Sequence, residues 1–221
     1  MNDFSILPEF LQEALKRLSI TEPTPVQAGA VAPALQGRDV LATAQTGTGK
    51  TFAFLLPLAV RLNQNPAENA LILSPTRELA QQTQNELKKL FSADFSLQTA
   101  LVVGGDNIHK QYADLRDKPR VIIATPGRLL DHMGRKSVNL KNTRLLVLDE
   151  TDRMLDMGFI DDMRRIVSAL PAPRQTMLFS ATLPKEIEAL AKEFLQNPVR
   201  VKIGSVVTPA DLVVQEVVHV D

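Results

Sequence analysis

The chain has 221 residues, of which 44% are hydrophobic, and its 25 basic side chains balance 25 acidic ones. This length suits one domain with a sizeable apolar core, and the balanced charge gives no overall positive field that would attract nucleic acid or anionic lipid. The absence of cysteine excludes disulfides and cysteine-ligated zinc. The start shows no signal-peptide pattern, and Pro57 interrupts the longest apolar stretch, so we expect a cytoplasmic protein without membrane contacts.

Short apolar runs alternate with helical patterns along the chain. We predict strands over 39–43, 70–74, 97–103, 120–124, 144–148, 175–180 and 199–203. Helices are expected over 9–18, 51–62, 77–91, 126–133, 160–170 and 185–195, with a kink or an early end at Pro57. This alternation is typical of an α/β fold: a doubly wound, mostly parallel sheet of about seven strands with helices on both faces. Such sheets bind ligands beyond the carboxyl ends of their strands.

The first predicted strand leads into a glycine-rich loop, Ala44-Gln-Thr-Gly-Thr-Gly-Lys-Thr51. Gly47 and Gly49 permit backbone angles that turn successive N–H groups around an anion. Lys50 can reach the β- and γ-phosphates of a nucleotide, and the Thr51 hydroxyl can bind Mg²⁺. A glycine-rich turn before an amphipathic helix is the alternative. The predicted nucleotide-binding residues here are Gln45, Thr46, Gly47, Thr48, Gly49, Lys50 and Thr51.

A second apolar run, over 145–148, ends in Asp149-Glu150. Alone, such acids are usually a solvated loop start or a helix cap. Beside a phosphate-binding loop, Asp149 is expected to hold Mg²⁺ through water, and Glu150 to orient or deprotonate an attacking water. His109, His132 and His219 show no ligand spacing, so a surface or packing role is expected for each.

Seven short motifs follow one another in a fixed order. They are Glu22-Pro-Thr-Pro-Val-Gln27, the loop 44–51, Pro75-Thr-Arg-Glu-Leu-Ala80, Gly104-Gly105, Thr125-Pro-Gly-Arg128, Asp149-Glu-Thr-Asp152 and Ser180-Ala-Thr182. With these motifs the chain resembles the DEAD-box RNA helicases of superfamily 2 over nearly its whole length. The resemblance implies a RecA-like domain that uses ATP and Mg²⁺ and binds RNA without reading its sequence.

The resemblance also assigns roles to residues. The Gln27 amide would pair with the amino group and N7 of adenine, and Phe4 would stack on that base, although a simple core contact is nearly as good a reading of Phe4. Ser180 and Thr182 would form hydrogen bonds with Asp152 and couple nucleotide binding to RNA binding. Capping of the helix that starts near Pro184 is a competing role for Thr182. The implied RNA-backbone residues are Pro75, Thr76, Arg77, Gly104, Gly105, Thr125 and Arg128.

Thr151 departs from the family, which has alanine at this position. Its hydroxyl costs little if it finds a partner and about 1–3 kcal/mol if it is buried without one. We expect ATP binding to survive and coupling to RNA to be less efficient.

The family's second RecA-like domain does not fit into the residues after Thr182. We therefore expect an amino-terminal half, monomeric by itself, whose partner is the carboxy-terminal RecA-like domain of the same protein. Its parts would be a Q-motif region (1–30), a RecA-like domain (31–205) and a linker (206–221). Alternatives from other classes are a P-loop kinase or GTPase, and a non-catalytic scaffold.

Overall fold

In a computed structural model, which describes residues 4–91 and 97–204, the chain folds around one sheet. All strand pairs in it are parallel, and the order is β3-β4-β2-β5-β6-β1-β7. The strands are β1 Val40–Thr43, β2 Asn69–Leu73, β3 Thr99–Val102, β4 Val121–Ala124, β5 Thr143–Leu148, β6 Gln175–Ser180 and β7 Val199–Lys202. The predicted doubly wound parallel fold is confirmed.

Helices connect successive strands, and a short 3₁₀ helix, Phe4–Ile6, precedes them. The α-helices of the described ranges are α1 Glu9–Arg17, α2 Pro25–Leu35, α3 Lys50–Gln64, α4 Arg77–Leu90, α5 Ile108–Arg116, α6 Pro126–Gly134, α7 Thr151–Asp156, α8 Ile160–Ser168 and α9 Lys185–Phe194. None of the helices in those ranges is long and apolar enough to cross a membrane. The predicted linker, 206–221, lies outside the described residues.

Two apolar cores cover the two faces of the sheet, because alternate strand residues point in opposite directions. Val40, Ala42 and Ile72 belong to one core, which α1–α4 complete. Leu41 and Leu73 belong to the other, which is completed mainly by α6, α8 and α9. The inner strands β2, β4 and β5 are mostly apolar because both of their faces are buried, whereas the edge strand β7 carries exposed Arg200 and Lys202. Residues 7–31 pack into the first core, and the boundary at residue 30 stays a prediction.

The helices differ from the sequence-based expectations in two ways. Helix α3 does not end early at Pro57 but continues to Gln64, because the residues around the proline are fully buried and their packing outweighs one lost backbone hydrogen bond. Helices α2, α5 and α7 were not predicted. Helix α2 is apolar around most of its circumference and contains Gly29 and Pro33, so it lacks the one-sided pattern of a surface helix.

The strand order sorts the sequence motifs into two groups along one edge of the sheet. The glycine-rich loop, Asp149-Glu150 and Ser180-Ala-Thr182 follow β1, β5 and β6, which are neighbours. The motifs that begin at Pro75, Gly104 and Thr125 follow β2, β3 and β4, which are also neighbours. The predicted nucleotide and RNA motifs therefore occupy adjoining halves of the carboxyl edge.

Asp39 fastens the opposite end of β1. Its carboxylate accepts the backbone N–H of Thr176 at 2.8 Å and of Gln196 at 2.6 Å, so it joins the starts of β1 and β6 to the segment before β7. The side chain is buried, with 6% of the residue exposed. Without the Asp39 carboxylate, the backbone N–H groups of Thr176 and Gln196 would lose their acceptor.

We expect Asp39→Asn to lower the free energy of unfolding by about 1–3 kcal/mol, because the amide group presents a donor to one of the two backbone N–H groups that now donate to the carboxylate. Urea denaturation measures the change. Asp161→Asn is the matched control, since 89% of the Asp161 side chain is exposed, and it should change stability by less than about 0.5 kcal/mol. Equal effects of the two substitutions would contradict the anchoring role.

Candidate functional site

The hydrogen-bond ladder of the sheet continues into the first residues of the motifs. Ala44 N–H donates to Ser180 C=O at 3.0 Å, and Asp149 N–H donates to Leu73 C=O at 2.9 Å. Thr125 N–H donates in the same way to Val102 C=O at 3.0 Å. Backbone bonds of this kind fix the position of each motif relative to the end of the adjacent strand.

The glycine-rich loop adopts the left-handed turns that the sequence predicts, with φ of +84° at Gly47 and +93° at Gly49. Gly49 also lies against Gln27, because a Cβ built on Gly49 would be only 2.6 Å from Nε2 of Gln27. Gln27 is 3% exposed. Its Nε2 donates to Gly49 C=O at 3.0 Å, and its Oε1 accepts from Thr24 N–H at 3.0 Å. Gln27 thus holds the glycine-rich loop in place through the carbonyl of Gly49.

Lys50 begins α3 and is buried at the base of the loop. Its Nζ lies 3.0 Å from Oε1 of Glu150. This approach is not aligned as a hydrogen bond, and Nζ has no hydrogen-bond acceptor among the described residues. Glu150 also accepts from the Thr46 hydroxyl at 3.2 Å. A buried ammonium with unfilled hydrogen-bond capacity is a site for an anion.

Asp149 and Glu150 form a strained acidic turn at the end of β5. Burial, and secondarily the charge of Glu150, raise the pKa of Asp149 to about 7, although Lys50 opposes the rise. Glu150 caps α7 with φ of +49°, a left-handed conformation that costs free energy for a residue with a side chain. No cluster of three or more His, Cys, Asp or Glu suited to a metal occurs within 4–91 and 97–204.

A cleft of about 280 Å³ lies over this acidic turn. Its lining includes Thr51 and Asp149, the two residues predicted to hold Mg²⁺. One side is formed by α4, whose contribution the sequence motifs did not indicate. The α4 residues in the lining are Leu79, Gln82, Thr83 and Glu86.

Asp152 joins α7 to the end of β6, as the resemblance implied. Its Oδ2 accepts from Thr182 Oγ1 and Thr182 N–H, both at 2.9 Å, and from Ala181 N–H at 3.2 Å. Asp152 N–H donates to Ser180 Oγ at 3.3 Å. Burial raises the pKa of Asp152, but these hydrogen bonds outweigh burial and leave the pKa below its usual value. Thr182 does not cap α9, whose N-cap is Pro184.

Thr151, the residue that departs from the family pattern, is fully buried and has a partner. Its hydroxyl donates to Leu148 C=O at 3.2 Å. The penalty for an unpaired buried hydroxyl therefore does not arise.

The predicted RNA-contacting residues lie together on the other half of the edge. Thr76 caps α4 and accepts from Leu79 N–H at 3.3 Å. Arg77 reaches over Gly105, since its Nη1 would be 3.2 Å from a Cβ built there. Thr125 is the N-cap of α6 and Arg128 lies in its first turn. Gly104 is exposed, whereas Pro75 is buried and presents almost no surface.

Phe4 is half-buried in the 3₁₀ helix and packs against the core beside α1–α4. The sequence analysis gave this core contact as the alternative to base stacking. The stacking of Phe4 on adenine stays a prediction.

Two buried residues that the motifs did not indicate lie behind the half of the edge that carries the predicted RNA-backbone residues. Gln111 on α5 is 1% exposed and His132 on α6 is 0% exposed, and His132 Nε2 lies 3.0 Å from Gln111 Oε1. The packing role expected for His132 is what the structure shows. A sequence signal for the pair is weak, because the two residues are far apart along the chain and belong to different motif regions.

We expect Thr151→Ala to lower the free energy of unfolding by only about 1 kcal/mol, the net value of one satisfied hydrogen bond. The exposed Ser168 hydroxyl makes the same kind of bond, to Arg165 C=O three residues earlier at 2.9 Å. Ser168→Ala is therefore the matched control and should cost less, because water replaces its bond. Urea denaturation compares the two. A loss above about 3 kcal/mol for Thr151→Ala would contradict this assignment.

Asp152→Asn should destabilise the domain at neutral pH, because the amide cannot accept all the bonds now made to Oδ2. The pKa of Asp152 is lower when folded than its ordinary value of 3.8, so the stability it contributes is fully present above that value and is lost as pH falls through the folded pKa. Urea denaturation of both proteins should show a constant difference from pH 7 to about pH 5, shrinking below. A difference that grows on acidification would contradict this sign.

Comparison with known proteins agrees with this geometry. The family model "DEAD/DEAH box helicase" matches residues 24–190. The chain is 46% identical over 216 residues to a probable ATP-dependent RNA helicase, ddx27, of Dictyostelium discoideum, covering 95% of this chain and 27% of that protein. It is 44% identical to the ATP-dependent RNA helicase CshA of Limosilactobacillus reuteri, covering 95% of this chain and 42% of that protein.

A solved structure shows the same fold. The crystal structure of a DEAD box protein from the hyperthermophile Methanococcus jannaschii has a TM-score of 0.85 and 36% identity, and the match covers 90% of this chain and 55% of that one. This chain spans less than half the length of each of the two curated relatives named above. The ordered motifs, the parallel sheet and the family match together show that the chain belongs to the DEAD/DEAH box helicase family.

Proposed function

We propose that this chain is the ATP-binding domain of a DEAD-box RNA helicase, which holds Mg-ATP and the RNA backbone. Together with a second RecA-like domain it would separate short RNA duplexes while hydrolysing ATP. The family match supports this proposal, as do the relatives' names, ATP-dependent RNA helicases.

The observation that carries the proposal is the state of Lys50. A buried ammonium costs free energy unless its donors are satisfied, and Lys50 Nζ has one charged neighbour and no hydrogen-bond acceptor within the described chain. The β- and γ-phosphates of ATP would supply acceptors at the base of a loop built for an anion. Gln45, Thr46, Gly47, Thr48 and Gly49 would complete the cradle.

The donor set suits Mg²⁺ beside those phosphates. Thr51 and Asp149 line the same cleft, and an incoming cation would relieve the charge cost that burial imposes on Asp149. Mg²⁺ is usually held by one or two protein groups together with phosphate oxygens and water, which fits a site without a larger carboxylate cluster. When bound, Mg²⁺ would neutralise charge on the phosphates.

Glu150 is proposed as the residue that orients or deprotonates the attacking water. It is held by Lys50 and by the Thr46 hydroxyl. If Lys50 turns to the phosphates, Glu150 loses its charge partner and its carboxylate becomes a stronger acceptor for water.

Gln27 is proposed to recognise adenine. Its Oε1 and Nε2 each make one bond to the chain, and a glutamine amide has a second acceptor position on oxygen and a second N–H. These match the amino group and N7 of adenine, whereas guanine offers only acceptors on that edge.

The RNA backbone would lie across the other half of the edge. Exposed Arg77, Gly104 and Gly105, together with Thr76, Thr125 and Arg128 at helix starts, offer hydroxyls, backbone amides and guanidinium groups to phosphate oxygens. Such contacts carry no base information, so binding would be independent of sequence.

A non-catalytic scaffold would bind ATP without turning it over. RNA-stimulated hydrolysis by this chain joined to its second domain separates the two functions. Loss of that hydrolysis in Glu150→Gln, with nucleotide binding retained, is the result that the helicase proposal requires.

Calorimetric titration with Mg-ADP and Mg-GDP tests the nucleotide assignment. We expect the chain to prefer ADP by about tenfold or more, the discrimination typical of a bidentate amide contact. Gln27→Ala should abolish that preference. The ratio of the two affinities is the readout, because loss of the bond to Gly49 also weakens the loop for both nucleotides.

Gln84→Ala is the matched control, since Gln84 is another buried glutamine and bonds to Thr99 away from the cleft. It should leave the ADP preference unchanged. If Gln27→Ala weakens both nucleotides equally and preserves the preference, Gln27 is a support for the loop and not the adenine reader.

A further inference from the structure

Gln111 joins the two loops that form the RNA-facing half of the edge. Its Nε2 donates to Val103 C=O at 2.9 Å, immediately before Gly104-Gly105. Its Oε1 accepts from Arg128 Nη1 at 3.4 Å and from His132 Nε2 at 3.0 Å. Because Gln111 is 1% exposed, it cannot itself contact a bound polymer.

His132 holds the amide of Gln111 in this orientation. Since Gln111 Oε1 only accepts, His132 Nε2 carries the proton, and Nδ1 faces Ser137 Oγ at 2.8 Å. The ring also packs edge-on against Tyr112, with centroids 5.2 Å apart. Burial lowers the pKa of His132, which favours the neutral ring that this bonding pattern suits.

The Gln111 side chain differs from an ordinary buried polar residue because two of the groups that it bonds lie at the RNA-facing loops. One group is the carbonyl that precedes the Gly104-Gly105 turn, and the other is the guanidinium of Arg128. The bond to Gln111 uses one of the five N–H donors of Arg128 and restrains a side chain with many rotamers, so that less conformational freedom is lost when the remaining donors bind a ligand.

We propose that Gln111, oriented by His132, is a positioning residue that presets Arg128, beside the Gly104-Gly105 turn, for contact with an RNA backbone. The inference rests on the proposed RNA-binding function and adds to it a buried residue that sets affinity without touching RNA. Nucleotide binding should be indifferent to Gln111, because the nucleotide motifs follow the other group of strands.

The test is a double-mutant cycle on this chain, read by fluorescence anisotropy of a labelled single-stranded RNA at low ionic strength, where phosphate contacts are strongest. Gln111→Met keeps the volume and removes all three side-chain hydrogen bonds, and the loss of the bond to Arg128 should weaken RNA binding about fivefold, the value of one net hydrogen bond. Arg128→Ala should weaken binding at least as much. Adding Gln111→Met to Arg128→Ala should change affinity by less than about twofold, since the two residues act in series.

Three further measurements separate positioning from a general loss of structure. Mg-ADP affinity should stay within about twofold for Gln111→Met, because the nucleotide half is untouched. Gln84→Met, which removes the bond of a buried glutamine to Thr99, should leave RNA affinity unchanged. His132→Phe keeps the ring against Tyr112 but loses both nitrogens, and it should reproduce the RNA defect even if Gln111→Met folds poorly.

The outcomes distinguish this inference from the proposed function. If Arg128→Ala weakens RNA binding and Gln111→Met weakens it by the same factor with or without Arg128, Gln111 does not act through Arg128 and the positioning role is overturned. If Gln111→Met and His132→Phe leave affinity unchanged, it is likewise overturned. If the unaltered chain binds no RNA, or Arg128→Ala has no effect, the proposed RNA surface itself is wrong.

Discussion

The constraint on which the site depends is the parallel direction of every strand pair in the described sheet. Parallel strands end at the same edge, so each motif that follows a strand arrives at one surface. The order of the strands then decides which motifs become neighbours. Residues as distant in sequence as Lys50 and Glu150 meet because β1 and β5 flank β6, and no local preference of either segment would bring them together.

The site concentrates features that disfavour folding, and the rest of the domain offsets them. Asp149 and Glu150 are two adjacent buried carboxylates with one buried cation beside them. Glu150 holds a left-handed backbone conformation, and Lys50 lacks a hydrogen-bond acceptor within the described residues. Two apolar cores on opposite faces of the sheet stabilise the strands that carry these groups. Such local violations are expected where a ligand completes the bonding.

The sequence predicted the strands and the glycine-rich loop well, because a strand buried on both faces is a short apolar run and a left-handed turn requires glycine. It did not predict α2, and the early end that it allowed for α3 at Pro57 is wrong. In both, tertiary burial overrides local propensity. Nor did it connect Gln111 with His132, since hydrogen bonding between two helices leaves no periodic pattern. The sequence showed that the Thr151 hydroxyl would need a hydrogen-bond partner if it were buried. Only the structure identified that partner, the carbonyl of Leu148.

The two halves of the edge meet where β2 lies beside β5. There Asp149 N–H donates to Leu73 C=O, two residues before Pro75, where the motifs predicted to contact RNA begin. This bond belongs to the sheet ladder, and shifting Asp149 relative to Pro75 would break pairing in the middle of a doubly buried sheet. The sheet therefore fixes the position of one half of the edge relative to the other. If a ligand at one half controls binding at the other, that control requires an element outside the sheet that can move.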